Sequence, residues 1–251
     1  MTALRWQRVA ELVANDLREQ ILSGKLTTGD LLPKEEALRA TYPVSKPSLR
    51  EAMRILEAEG LVTVRRGNVG GAIVQRPSAA NVAYTLALVL RSNKVAIPDV
   101  ARALREVEPL CAGMCAERAD RRRRVVPKLK SIHTQSLASL DDLAKASAMS
   151  RLFHEAIVEL CGNASLVVLA GALEAIWSSH ETSRTSVCDP ASIPLVERRA
   201  ALAAHAELLA RIDEGDVAGA RELASTHLGQ VQSFPAPNFG AGQIIPLSLR
   251  H

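Results

Sequence analysis

Aromatic side chains make up only 3% of this chain of 251 residues. Sandwiches and barrels draw on aromatic and β-branched residues, so their scarcity beside abundant Leu and Ala predicts a mainly helical fold. Cysteine is also sparse. Cys111, Cys115, Cys161 and Cys188 include no CxxC pair, which excludes a zinc ribbon, and four in so long a chain do not make a disulfide framework. They are expected as reduced core residues. Cys111 and Cys115, one helical turn apart, could form a redox pair or hold a soft metal, but their neighbours Leu110, Met114 and Ala116 favour the core. No apolar run approaches the ~18 residues that span a bilayer, and the start, from Met1 through Trp6 to Val9, leads into a charged helix. A cytoplasmic protein with no membrane partner is expected. No phosphate loop or nucleophile motif is present, which weighs against an enzyme.

What is present is 47% hydrophobic residues, enough for one sizeable core and more naturally for two domains. The formal charge of +4 permits a nucleic-acid partner without requiring one. In the first 76 residues, Val9, Leu12, Val13, Leu17 and Ile21 recur at helical spacing up to a stop at Gly24. Pro33 can open a short second helix through Leu38. Ser45 offers a cap to a third helix with Leu49, Met53, Leu56 and Ala58 on its inner face and Gly60 at its end. The pattern then turns to Leu61-Val-Thr-Val-Arg-Arg66, a glycine-rich turn and Ala72-Ile-Val-Gln-Arg76, a two-stranded hairpin. Three helices and a hairpin describe a winged helix-turn-helix with a small β-hairpin wing.

In that motif the second helix of the pair enters the major groove, so polar and basic residues belong at its front. Lys46, Ser48 and Arg50 meet the demand. Arg50 suits a two-point contact to guanine and Lys46 a phosphate or a single acceptor. Arg65 and Arg66 lead into a wing tip at Gly67 to Gly71 that would allow close backbone approach to the minor groove. The DNA-facing set is Lys34, Ser45, Lys46, Ser48, Arg50, Arg54, Arg65, Arg66, Gly67, Asn68 and Gly70. The competing reading is an ordinary charged helical surface.

Residues 77–82 read as a hinge, 83–232 as an all-α helical bundle of six or seven helices, and 233–251 as a flexible tail rich in Gly and Pro. Helix breaks are expected near residues 92–99, 119–127, 161–165, 186–194 and 213–216. Arg121 to Arg124 read as a solvated helix junction, with phosphate contact as the alternative. Three histidines fall on apolar stripes: His154 with Ile157, Val158 and Cys161; His205 with Leu202, Leu208 and Ile212; His227 with Ala220, Leu223 and Val231. His205 and His227 each stand roughly 12 to 16 Å from the turn joining their helices, so they meet at one level of an antiparallel pair. With His154 they could offer three neutral nitrogens to one divalent metal, zinc or nickel by ligand type. For a lone core histidine, simple hydrogen bonding is the better explanation.

The segment from Val9 to Val74, through Ile21-Leu-Ser-Gly-Lys25 and Val44-Ser-Lys-Pro-Ser-Leu-Arg-Glu-Ala52, resembles the DNA-binding domain of GntR-type bacterial transcription regulators. Residues 105–120, 153–166 and 205–228 resemble the helical ligand-binding (FCD) domain of the FadR subgroup. The resemblance implies a ligand-responsive regulator, a repressor, binding double-stranded operator DNA as a homodimer. It also implies a small organic acid effector and a metal held by His154, His205 and His227. Arg105 matches an arginine that faces the effector, with a surface pair to Glu108 as the alternative; Arg105, Ser150 and His154 are the implied effector-binding residues. Two departures stand out: Ser150 occupies the position of an aspartate that ligates metal, and Glu36 that of an arginine that follows the PxE pattern. Two other readings compete. One is a regulator whose pocket is structural and takes no effector. The other is a metal-dependent hydrolase, which would need a base beside the metal, whereas Glu155 points about 100° away from His154 around the helix.

Overall fold

The computed structural model describes residues 2–65, 71–77, 79–185, 193–231 and 244. Two compact units meet in sequence between Asn81 and Val82. The first unit holds α1 (Thr2–Leu22), α2 (Glu35–Thr41), α3 (Lys46–Ala58), β1 (Val62–Arg65) and β2 (Gly71–Val74). Ser45 starts α3 from an extended conformation, its Oγ accepting from the Ser48 backbone N–H at 3.3 Å, with Pro47 in the first turn. Gly60 stops the chain at φ +72°, and a Cβ there would lie 2.6 Å from Asn81 Nδ2. The left-handed conformation favours glycine there. The two strands pair antiparallel, Val62 opposite Val74 and Arg65 opposite Gly71. They are the arms of the expected wing; its tip lies outside the described residues.

The core of this unit joins Val13, Leu17 and Ile21 of α1 to Leu38 of α2, Leu49 and Leu56 of α3 and Val62 and Val74 of the hairpin. Leu12, expected on the inner face of α1, is 67% exposed; Ala10 and Ala14 complete the buried face instead. Ala52 replaces Ala58 on the inner face of α3, because Ala58 sits in the last turn and faces solvent.

The remaining helices are α4 (Ala79–Ser92), α5 (Ile97–Glu117), α6 (Arg121–Ala138), α7 (Leu143–Leu160), α8 (Ala164–Thr185), α9 (Leu195–Glu214) and α10 (Val217–Val231). Helix α4 thus begins inside the segment expected as a hinge. The break between α6 and α7 was not expected: Asp142, extended, caps α7 by accepting from the Lys145 N–H at 3.1 Å. Helix α5 lies along α10 and also touches α7, α8 and α9. The core of this unit, which α6 joins, includes Leu129, Phe153, Ile157, Leu208 and Ile212. Ile244, from the segment expected as a flexible tail, is buried among Ala83, Val100, Leu104 and Ile176. No described helix is long and apolar enough to cross a membrane.

Candidate functional site

Helical periodicity and packing bring three histidines from three helices to one point. His154 of α7, His205 of α9 and His227 of α10 are all buried, and one ligand nitrogen from each falls within 4.8 Å of the others. His205 Nε2 lies 3.3 Å from His154 Nε2 and 3.0 Å from His227 Nε2. An ion bound by imidazole nitrogens at about 2.0–2.1 Å holds adjacent nitrogens roughly 3.0–3.4 Å apart, so these separations fit a divalent metal. The rings are braced for it. Phe153 stacks on His205 with centroids 4.2 Å apart and planes 11° from parallel. His154 and His227 are themselves nearly parallel, 7° apart.

A residue outside the expected set completes the cluster. Glu108 of α5, 1% exposed, places Oε1 2.5 Å from His154 Nδ1. Burial penalises charge on His154, but the Glu108 charge and hydrogen bond outweigh it and raise the imidazole pKa. Burial likewise opposes ionisation of Glu108, and His154 holds its carboxyl below the usual range. Glu174, 4% exposed and beside Glu108, is pushed well above that range by burial and then by Glu108. Burial, then the charge of His154, pushes His227 down to about 4. His205 is driven well below the imidazole range by burial and then by His154 and His227. Two of the three rings are therefore neutral at pH 7, the form that ligates metal.

His154, Glu108 and Glu174 form part of the wall of a cavity of about 100 Å³ in the helical unit, which His205 and His227 do not line. Ser150 and His154 line it; Arg105 does not. The guanidinium-bearing residues on its wall are Arg151, next to Ser150, and Arg198. Arg198 donates to the carbonyls of Leu140 at 2.6 Å and Ile193 at 3.1 Å, tying the start of α9 to the end of α6. Both arginines escaped sequence reading, although Arg151 lies three residues before His154 and so shares its helix face. Glu155, the base weighed in the hydrolase reading, accepts from Ser178 Oγ at 2.8 Å. The cysteines Cys111, Cys115 and Cys161 are core residues, Cys115 donating to the Ile157 carbonyl at 3.3 Å.

In the first unit, Lys34, Lys46, Arg50, Arg54 and Arg65 are exposed. Ser48 is not: it is 3% exposed, with its hydroxyl 3.0 Å from Ser45 Oγ. Both serines hydrogen-bond at the start of α3, and Ser45 is half-buried. Glu35, whose place in the PxE pattern was its only signal, reaches Lys46 Nζ at 3.2 Å and Arg50 Nε at 3.6 Å. It holds two long cations side by side on one face. Arg54 pairs with Glu51 one turn earlier, at 3.3 Å. Glu36 is exposed in the first turn of α2. Arg66, Gly67, Asn68 and Gly70 lie outside the described residues. In the helical unit, Arg121 donates to the Asp213 carbonyl and Arg122 to its carboxylate, so the start of the arginine run closes the end of α9.

Residues 9–70 match the gntR family of bacterial regulatory proteins, and residues 99–230 match the FCD domain. The chain belongs to the GntR family, in its FCD-domain branch. Among its relatives is the HTH-type transcriptional repressor NanR of Klebsiella aerogenes, 32% identical over 161 residues, which cover 62% of this chain and 60% of NanR. The chain therefore spans about three fifths of the length of that repressor. An Escherichia coli relative named for regulation of the L-lactate dehydrogenase operon is 28% identical over 234 residues, 90% of this chain and 86% of its own. In fold, this GntR-family chain is similar to Streptococcus agalactiae GntR, with a TM-score of 0.69 at 20% identity over 89% of this chain and 98% of that one.

Proposed function

We propose that this regulator is a cytoplasmic repressor that binds operator DNA as a homodimer and releases it when a small carboxylate occupies the cavity of the helical domain. The observation that carries the sensing part of this reading is the convergence of His154, His205 and His227 beside a cavity that His154 itself lines. These three residues would hold zinc or nickel, with an effector carboxylate reaching it from the cavity side. A bound divalent ion supplies positive charge that a carboxylate can neutralise. Arg151 adds a second cationic group on the same wall. On the DNA side, Lys46 and Arg50 stand at the front of a capped helix whose rear face is core, the arrangement that groove docking requires. The homodimer rests on the family and on the two half-sites that such a helix pair reads.

For the effector to relieve repression it must favour the arrangement with low DNA affinity, by about 1–3 kcal/mol of coupling. The test is metal content after dialysis, followed by thermal unfolding with zinc, nickel and a panel of small carboxylates. The reading predicts one divalent ion per chain, lost in H205A, and a raised Tm with at least one acid only when metal is bound. A chain without metal and with no thermal response to any acid would leave the pocket as structural core.

A further inference from the structure

We propose that Glu108 is the positioning residue of the histidine centre, fixing the proton of His154 and supplying through that ring the negative charge that residue 150 does not carry. The proposal rests on the reading that His154, His205 and His227 hold a divalent ion. Its first support is directional. Glu108 Oε1 stands 2.5 Å from Nδ1 of His154, while Nε2, on the far side of the ring, stands 3.3 Å from His205 Nε2. A carboxylate accepts, so the proton belongs on Nδ1 and the Nε2 lone pair faces the cluster. A carboxylate acceptor of this kind sets the tautomer of a ligating histidine and raises its basicity.

The second support is burial. Glu108 is 1% exposed, and among the described residues its ion-pair partner is His154 alone. Glu174, the other buried carboxyl beside it, brings no positive charge. A carboxylate in so apolar a place is costly unless positive charge stands near it. Its neighbours on α5, Leu104 and Pro109, are buried, so the helix cannot turn the group to water.

The third support is the charge count. Three neutral nitrogens around a dication leave two positive charges in a buried site. The residue one helical turn before His154 on the same face of α7 is Ser150, which also lines the cavity and brings a neutral hydroxyl. Glu108 is a carboxylate one imidazole away, arriving from a different helix.

The experiment compares wild type, E108Q and E108Q/S150D in full-length protein stripped of metal, using zinc and cobalt(II) affinity by competition with a chromogenic chelator. The Glu108→Gln change keeps the shape and an acceptor oxygen but not the charge. The expected result is an affinity about 10- to 100-fold weaker in E108Q, with unchanged helical circular dichroism, and recovery of most of that loss in E108Q/S150D. A merely structural Glu108 would not be rescued by a carboxylate on another helix. Equal affinity in wild type and E108Q, or a loss that S150D leaves untouched, overturns the proposal. No metal uptake by wild type overturns the metal reading and this inference with it, whereas uptake indifferent to E108Q overturns this inference alone. If E108Q does not fold, 15N spectra of histidine-labelled, zinc-loaded wild type decide: His154 must carry its proton on Nδ1 and bind through Nε2, and the opposite tautomer refutes the assignment.

Discussion

His205 lies flat on Phe153, ring centroids 4.2 Å apart, and so a core residue with no polar atom sets the plane of a ring in the histidine cluster. Phe153 is 0% exposed at the centre of the helical core. Truncation to alanine should lower stability by about 3–5 kcal/mol, measured by denaturant unfolding. Leucine should restore much of that stability while leaving His205 unstacked, so F153L should bind zinc more weakly than wild type despite folding. Unchanged zinc affinity in F153L would show that the stack has no part in orienting His205.

Acid should destabilise the metal-free protein. His227 has an ordinary value of 6.5 and is lowered to about 4 by burial and by His154. Its folded value lies below its unfolded one, so between these values the unfolded chain binds more protons and stability falls as pH drops from about 6.5 to about 4. His205, lowered further, acts in the same sense, and His154, raised by Glu108 against burial, acts in the opposite one. Urea midpoints across this window, with chelator present, should decline in wild type and decline less steeply in H227Q. Parallel profiles would contradict the assignment.

If Lys46 and Arg50 face DNA as proposed, they divide the labour. R50A should relax base preference by about 1–3 kcal/mol at one operator position, whereas K46A should weaken binding to all sequences and reduce its salt dependence. Glu35 is paired with both at an exposed surface, so E35A should cost about 1 kcal/mol of folding stability or less. Its effect should appear instead as a smaller ratio of specific to non-specific DNA affinity, because the two cations lose their common anchor. Anisotropy titrations with operator and scrambled DNA separate the three variants.

Burial, followed by the neighbouring Cys161, pushes the Cys115 thiol up to about 12 and raises Cys111 as well. Thiolate, not thiol, is the nucleophile. In a C188A background, folded protein at pH 8 should therefore leave Ellman's reagent unreacted until denaturant is added. Rapid reaction of the native protein would revive the redox reading of Cys111 and Cys115.

Local signals were the legible ones. Ser45 and Gly60 bracket α3 because a cap hydroxyl and a left-handed glycine act over three or four residues, and the histidine stripes follow from a 3.6-residue period. What escaped reading depended on tertiary packing. Leu12 satisfies the same period as Val13, and only the position of the other helices decides which of them is buried. Ser48 has the composition of a groove-facing residue but bonds Ser45. Glu108 meets His154 across 46 positions of sequence, a contact that no spacing within one helix encodes. The break at Ser139–Asp142 lacks Gly and Pro and rests on the aspartate cap alone.

The most direct test of the account is fluorescence anisotropy of the full-length protein on its own upstream intergenic DNA, against scrambled DNA of equal length, across a range of salt and with zinc and small carboxylates added. The account predicts tight discrimination, a steep loss of affinity with salt, and release by at least one acid only in the metal-loaded protein. Weak and equal binding to both DNAs, or tight operator binding that no acid disturbs with metal present or absent, would contradict it.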